Sequence, residues 1–130
     1  MNIGEAADGS GVSAKMIRYY EEIGLIAAAL RSENGYRNYD EQDVHRLRFV
    51  RRARELGFPV KRIGNLLKLW SDGARASHDV KEIALVHAEA LNADIKKLTA
   101  LRDSILHLAE LCHGDDRPGC PIIDELSGEA

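Results

Sequence analysis

Ser13-Ala-Lys-Met-Ile-Arg-Tyr-Tyr-Glu-Glu-Ile-Gly24 reads as one short helix with both ends marked. Ser13 has the side chain of a good N-cap, and Gly24 supplies the left-handed residue that commonly ends a helix. At 3.6 residues per turn Ile17 and Tyr20 share an inward face. Lys15, Arg18, Tyr19 and Glu22 fall at i, i+3, i+4 and i+7 on the other face. Just upstream, Ile3, Ala6 and Ala7 have the spacing of another short amphipathic helix, which Gly9-Ser10-Gly11 interrupts. Two short helices joined by a glycine turn predict a helix-turn-helix. Its second helix presents Lys, Arg and Tyr, side chains suited to a major groove and its phosphates.

Downstream, Arg31-Ser-Glu-Asn-Gly-Tyr-Arg-Asn-Tyr-Asp40 predicts a hairpin, because both Asn34 and Gly35 tolerate positive φ in a two-residue turn. A hairpin in this place is a wing, with Arg31, Tyr36 and Arg37 beside its turn. Asp40 then caps a helix that buries Val44, Leu47, Val50 and Leu56. Gly57-Phe58-Pro59 breaks it, and a further helix runs from Pro59 or Val60 through Ile63, Leu66, Leu67 and Trp70. Residues 1–68 hold 12 Lys and Arg against 9 Asp and Glu, whereas residues 69–130 hold 6 against 12. The net charge of −3 therefore hides a basic first half, fit to meet a polyanion. Arg48, Arg51 and Arg52 cannot all point at DNA from one helix, so some of them serve ion pairs or solubility.

After a linker at 71–78, Val80, Ala84, His87, Leu91, Asp94, Leu98, Leu101, Ile105, Leu108 and Cys112 alternate spacings of four and three. This is a heptad seam along a helix over 79–111, roughly 50 Å long. A head of 70 residues cannot cover it, so the seam calls for a second copy of the chain. The tail after Cys112, with Gly114, Pro118, Gly119 and Pro121, reads as a loop carrying an apolar anchor of Ile122, Ile123 and Leu126.

Two cysteines exclude a disulfide-rich secreted scaffold, and the absence of a signal segment and of a long apolar run points to a cytoplasmic protein without membrane contact. No phosphate-binding loop, nucleophile triad or paired-carboxylate pattern marks an enzyme. Cys112 and Cys120 admit three readings: inert thiols, a redox disulfide, or a site for a soft metal.

Ser13 through Ile26 resembles the second helix and turn of the MerR family of transcription regulators, and Arg31 through Arg37 resembles that family's wing. Arg54-Glu-Leu-Gly-Phe58 also resembles a family segment. The Cys112 to Cys120 loop, with Pro121-Ile122-Ile123 after it, resembles the copper-efflux regulator (CueR-type) branch. The likeness covers nearly the whole chain and departs from the branch at Met16 and Asn38. It implies a mainly helical homodimer. A winged helix-turn-helix head occupies 1–70, the dimerisation helix forms an antiparallel coiled coil, and a metal-binding loop and tail fill 112–130. It further implies DNA contacts from Lys15, Arg18, Tyr19, Arg31, Tyr36 and Arg37. The operator is palindromic and lies in a promoter with an overlong spacer, where bound metal distorts the DNA for RNA polymerase. With this resemblance the soft-metal reading of Cys112 and Cys120 takes precedence.

Counting ligands then narrows the ion. Two thiolates suit Cu(I), with Ag(I) or Au(I) as alternative effectors, whereas Zn²⁺ wants four ligands. Antiparallel pairing sets Ser77 of one copy near Cys112 of the other, where divalent-ion sensors of the family carry a cysteine. His78, His113, Asp115 and Asp116 keep a divalent ion open as the second reading, and a redox sensor with the same head is a third. A bis-thiolate Cu(I) unit carries −1, a charge favoured near the start of the partner's long helix.

Overall fold

The computed structural model describes residues 1–31 and 35–128. Among the described residues, six helices and a pair of strands follow in the order α1 (Ile3–Ser10), α2 (Ala14–Glu22), β1 (Leu30–Arg31), β2 (Arg37–Asn38), α3 (Glu41–Glu55), α4 (Val60–Ser71), α5 (Ser77–Leu111) and α6 (Pro121–Ser127). The chain divides into two compact units, Met1–Ile83 and Ala84–Ala130.

Local sequence fixes the ends of the head helices. Asn2 accepts from the Glu5 N–H at 2.8 Å while the Glu5 carboxylate accepts from the Asn2 N–H at 3.1 Å, a reciprocal cap. Gly11 closes α1 at φ 77°, with its N–H on the Ala7 carbonyl. Ser13 caps α2 through the Met16 N–H at 3.2 Å. Asp40 and Asp43 repeat the reciprocal cap at the start of α3. β1 and β2 pair antiparallel, with Leu30 opposite Asn38 and Arg31 opposite Arg37. Of the expected turn, Gly35 has φ 80° and Asn34 lies outside the described residues.

The core of the first unit gathers residues from each of these helices, the largest share of them from α3. Ile17 of α2, Leu47 and Val50 of α3 and Ile63 of α4 are fully buried, with Ala6, Val12, Tyr20, Val44 and Leu67 around them. α1 packs on α2 and α3, and α3 packs on α4. Arg48 donates from Nε to the Gly9 carbonyl at 2.8 Å, which satisfies an acceptor at the end of α1. The rings of Phe49 of α3 and Trp70 of α4 stack at 4.7 Å and 11°. The sequence expectation of Leu56 in the core does not hold: it follows α3 and is 65% exposed.

α5 is a single helix of 35 residues, and none of them is buried. It starts at Ser77, two residues ahead of the expected start at 79. Leu98, Leu101 and Ile105 of the seam are more than half exposed, as are Leu85, Ile95 and Leu106 beside it. The tail departs from the expected loop. Pro121 occupies the first position of α6, where its missing N–H costs nothing and its fixed φ suits a helix, and Gly128 ends that helix at φ 76°.

Candidate metal centre and nucleic-acid interface

In the second unit, Cys112 follows the last turn of α5 and Cys120 is the N-cap residue of α6. The chain between them folds back through Gly114 at φ 68°. This reversal brings the two Sγ atoms to 3.2 Å, both half-buried and both free thiols. Backbone N–H of Ile123 pointing at Cys120 Sγ pulls its pKa below the usual thiol range, and the Cys112 contact adds to the effect. A lowered thiol pKa favours the thiolate, the form that binds metal. Two converging sulfurs held by the end of one helix and the start of the next fit a soft ion.

The remaining candidate ligands are distributed differently. Asp115 is clamped by Arg117, with Nη2 at 2.8 Å and Nε at 2.9 Å from Oδ2. Its carboxyl is held below the ordinary range by that guanidinium. His113 and Asp116 are exposed on the loop. Ser77 and His78 open α5 in the first unit, and His78 Nε2 faces Asp79 Oδ1 at 3.1 Å. Among the described residues no group of three or more His, Cys, Asp or Glu side chains gathers closely enough to hold a metal ion.

In the first unit, α2 exposes Lys15, Arg18, Tyr19 and Glu22, as its periodicity requires. Tyr20 is buried, and Tyr19 tilts against it with ring centroids 5.8 Å apart. Arg18 shares one shallow depression of about 370 Å³ with Arg31, Tyr36 and Arg37 of the wing. Four of the six side chains expected to meet DNA thus converge, and Lys15 and Tyr19 lie on the same exposed face of α2 as Arg18. Arg31 donates to the Gly35 carbonyl at 3.1 Å across the hairpin. Of the α3 arginines, Arg48 holds Gly9, Arg51 pairs with Glu55 at 3.1 Å, and Arg46 reaches Ser71 at 3.4 Å.

One buried residue behind this face escaped sequence reasoning. Glu21 turns inward from α2 and its carboxylate faces Arg37 Nε at 3.5 Å, while the Tyr39 hydroxyl donates to its other oxygen. The available signal was its place one residue after Tyr20 on the inward side of the helix, where a carboxylate needs a cation or a hydroxyl.

A basic winged helix-turn-helix head followed by a long uncovered helix and a thiol pair defines a DNA-binding, metal-responsive regulator of transcription. The chain belongs to the MerR family: the family described as "MerR HTH family regulatory protein" matches residues 1–70, and "MerR, DNA binding" matches 44–108. It is 59% identical over 127 residues to "Heavy metal-dependent transcription regulator 2" of Rhizobium meliloti, covering 98% of this chain and 86% of that one. It is 45% identical over 128 residues to the HTH-type transcriptional regulator CueR of Salmonella typhimurium, covering 98% and 93%. Among solved structures, the transcription regulator PbrR691 from Ralstonia metallidurans CH34 in complex with lead(II) superimposes with a TM-score of 0.83 at 29% identity, over 97% and 98% of the two chains. The family is one of transcription regulators and not of enzymes. No described helix is long and apolar enough to cross a membrane.

Proposed function

We propose that this heavy-metal-responsive regulator is a Cu(I)-responsive activator, with Ag(I) and Au(I) as alternative effectors. It acts as a homodimer on a palindromic operator inside a promoter with an overlong spacer, and Cu(I) binding distorts that DNA so that RNA polymerase can use it. Cys112 and Cys120 hold the ion, with Ser77 of the second copy beside it. Lys15, Arg18, Tyr19, Arg31, Tyr36 and Arg37 hold the DNA.

The observation that carries this reading is the pair of Sγ atoms at 3.2 Å, with the neighbouring carboxylate of Asp115 already committed to Arg117. A donor set of two sulfurs matches a monovalent soft ion better than one that seeks four ligands. The likeness to CueR at 45% identity supports it. A specific observation also supports a divalent ion: the superimposable PbrR691 structure is a lead(II) complex.

Anaerobic titration with Cu(I) under a competing chelator, run beside Zn²⁺ and Pb²⁺ and read by in vitro transcription, tests the assignment. Cys112→Ser and Cys120→Ser each abolish the response to Cu(I) and Ag(I) while operator binding persists, because the DNA-facing residues belong to the head. Coupling of the two sites is then a typical allosteric effect of about 1–3 kcal/mol. X-ray absorption on the Cu(I) form gives two sulfur neighbours. Histidine nitrogen in that shell, or equal activation by Zn²⁺ or Pb²⁺, overturns the monovalent reading.

A further inference from the structure

The wing is made of two strands of two residues each, too little pairing to fix its own direction. Among the described residues, the Glu21 carboxylate of α2 receives two side chains from the wing and its end, Arg37 and Tyr39. Its side chain is 4% exposed, it faces Arg37 Nε at 3.5 Å, and it accepts from the Tyr39 hydroxyl one residue beyond β2. Burial and the adjacent carboxylate keep Tyr39 protonated, so the donor is always present near neutrality. Arg37 itself stays 30% exposed and lines the depression it shares with Arg18. A guanidinium has five N–H donors in a rigid fork, so one edge can rest on Glu21 while others remain for a phosphate.

We propose that Glu21 is a positioning residue for operator selection. It holds Arg37 at a fixed place beside Arg18, so that wing and recognition helix meet DNA as one rigid body. Its negative charge, set directly behind the wing, also weakens attraction to phosphates in general. Random DNA is held almost wholly by charge, whereas the operator also requires the correct spacing of groups. One carboxylate thus raises discrimination from both sides. The inference rests on the α2 and wing face being the DNA face.

The test measures binding of full-length dimer to two duplexes of equal length over a range of salt: one enriched from a random library on the wild-type protein, one unselected. Glu21→Gln should bind the unselected duplex more tightly, with a salt dependence steeper by up to about one phosphate. It should bind the enriched duplex more weakly, so that the ratio of the two affinities falls by about tenfold, the size of one lost contact. A merely structural role would weaken both duplexes together and leave the salt slope unchanged or lower. Glu21→Asp keeps the charge and should restore wild-type affinity for unselected DNA. Tyr39→Phe removes one anchor with no change of charge, and it carries the test if Glu21→Gln does not fold. It should lower the ratio at constant affinity for unselected DNA. If neither Glu21→Gln nor Tyr39→Phe changes the ratio while Arg18→Ala and Arg37→Ala weaken binding, the role of Glu21 is refuted and the DNA face stands. If Arg18→Ala and Arg37→Ala leave binding intact, the DNA face itself is refuted, and the role of Glu21 with it.

Discussion

Tyr39 shows at the scale of one side chain how the wing is tied to the fold. It is buried, and that desolvation, reinforced by Glu21, pushes its pKa from 10.0 up to about 12. In the unfolded chain the phenol ionises near its ordinary value. Between those two values the native state therefore holds a proton that the unfolded state has released, and stability falls as pH rises. The contribution is fully present below pH 10 and is lost as pH climbs through about 12. Thermal midpoints taken from pH 9 to 12 should drop more steeply for the wild type than for Tyr39→Phe, which has no phenol to ionise. Parallel slopes would contradict the buried, protonated phenol. The link could not be read from the sequence, because Glu21 and Tyr39 lie 18 residues apart and meet only after the wing has reversed the chain.

Among the elements, the head helices were legible because their signals are local. Ser13 and Asp40 cap within three residues of themselves, and Ile17, Leu47 and Ile63 mark buried faces by spacing alone. α6 was not legible. Its three apolar residues are too few to establish a period, and Pro121 reads as a breaker until its position at the first turn is known. Spacing alone left Cys112 and Cys120 open to three readings, inert thiols, a disulfide or a metal site, and it is the folded tail that sets their Sγ atoms at 3.2 Å. Where burial is complete, energetics follow. Leu47 of α3 has no exposed surface and sits among residues of the first unit's core. Leu47→Ala should destabilise the head by about 2–5 kcal/mol in chemical denaturation, the range for a buried leucine whose cavity cannot fully collapse. A loss under half a kilocalorie would mean that α3 can slide to refill the space.

For the whole molecule the deciding feature is α5. A helix of 35 residues with no buried side chain leaves its apolar stripe for another surface, and a heptad repeat fits a second helix of the same kind. Leu98 lies mid-seam at 64% exposure. Leu98→Asp should yield monomers in sedimentation and lose operator binding in the same concentration range, because two half-sites need two linked heads. A dimer that survives the substitution would place the subunit contact elsewhere. That the seam needs a partner was visible from its length against a head of modest size. Which ion the loop prefers was not, since ligand counting on one chain leaves a second copy's contribution open.

The stacked pair of Phe49 and Trp70 gives the chain a built-in optical probe. Trp70 is the sole tryptophan, and its ring lies against α3 at 4.7 Å. Emission excited at the indole band therefore comes from the α3–α4 contact and nowhere else. Far-ultraviolet circular dichroism instead sums over all the helices, the 35 residues of α5 included. Followed together through a melt, the local signal and the global one are compared: coincident curves mean a single cooperative transition, and divergent ones mean that the head and the long helix lose structure in separate steps.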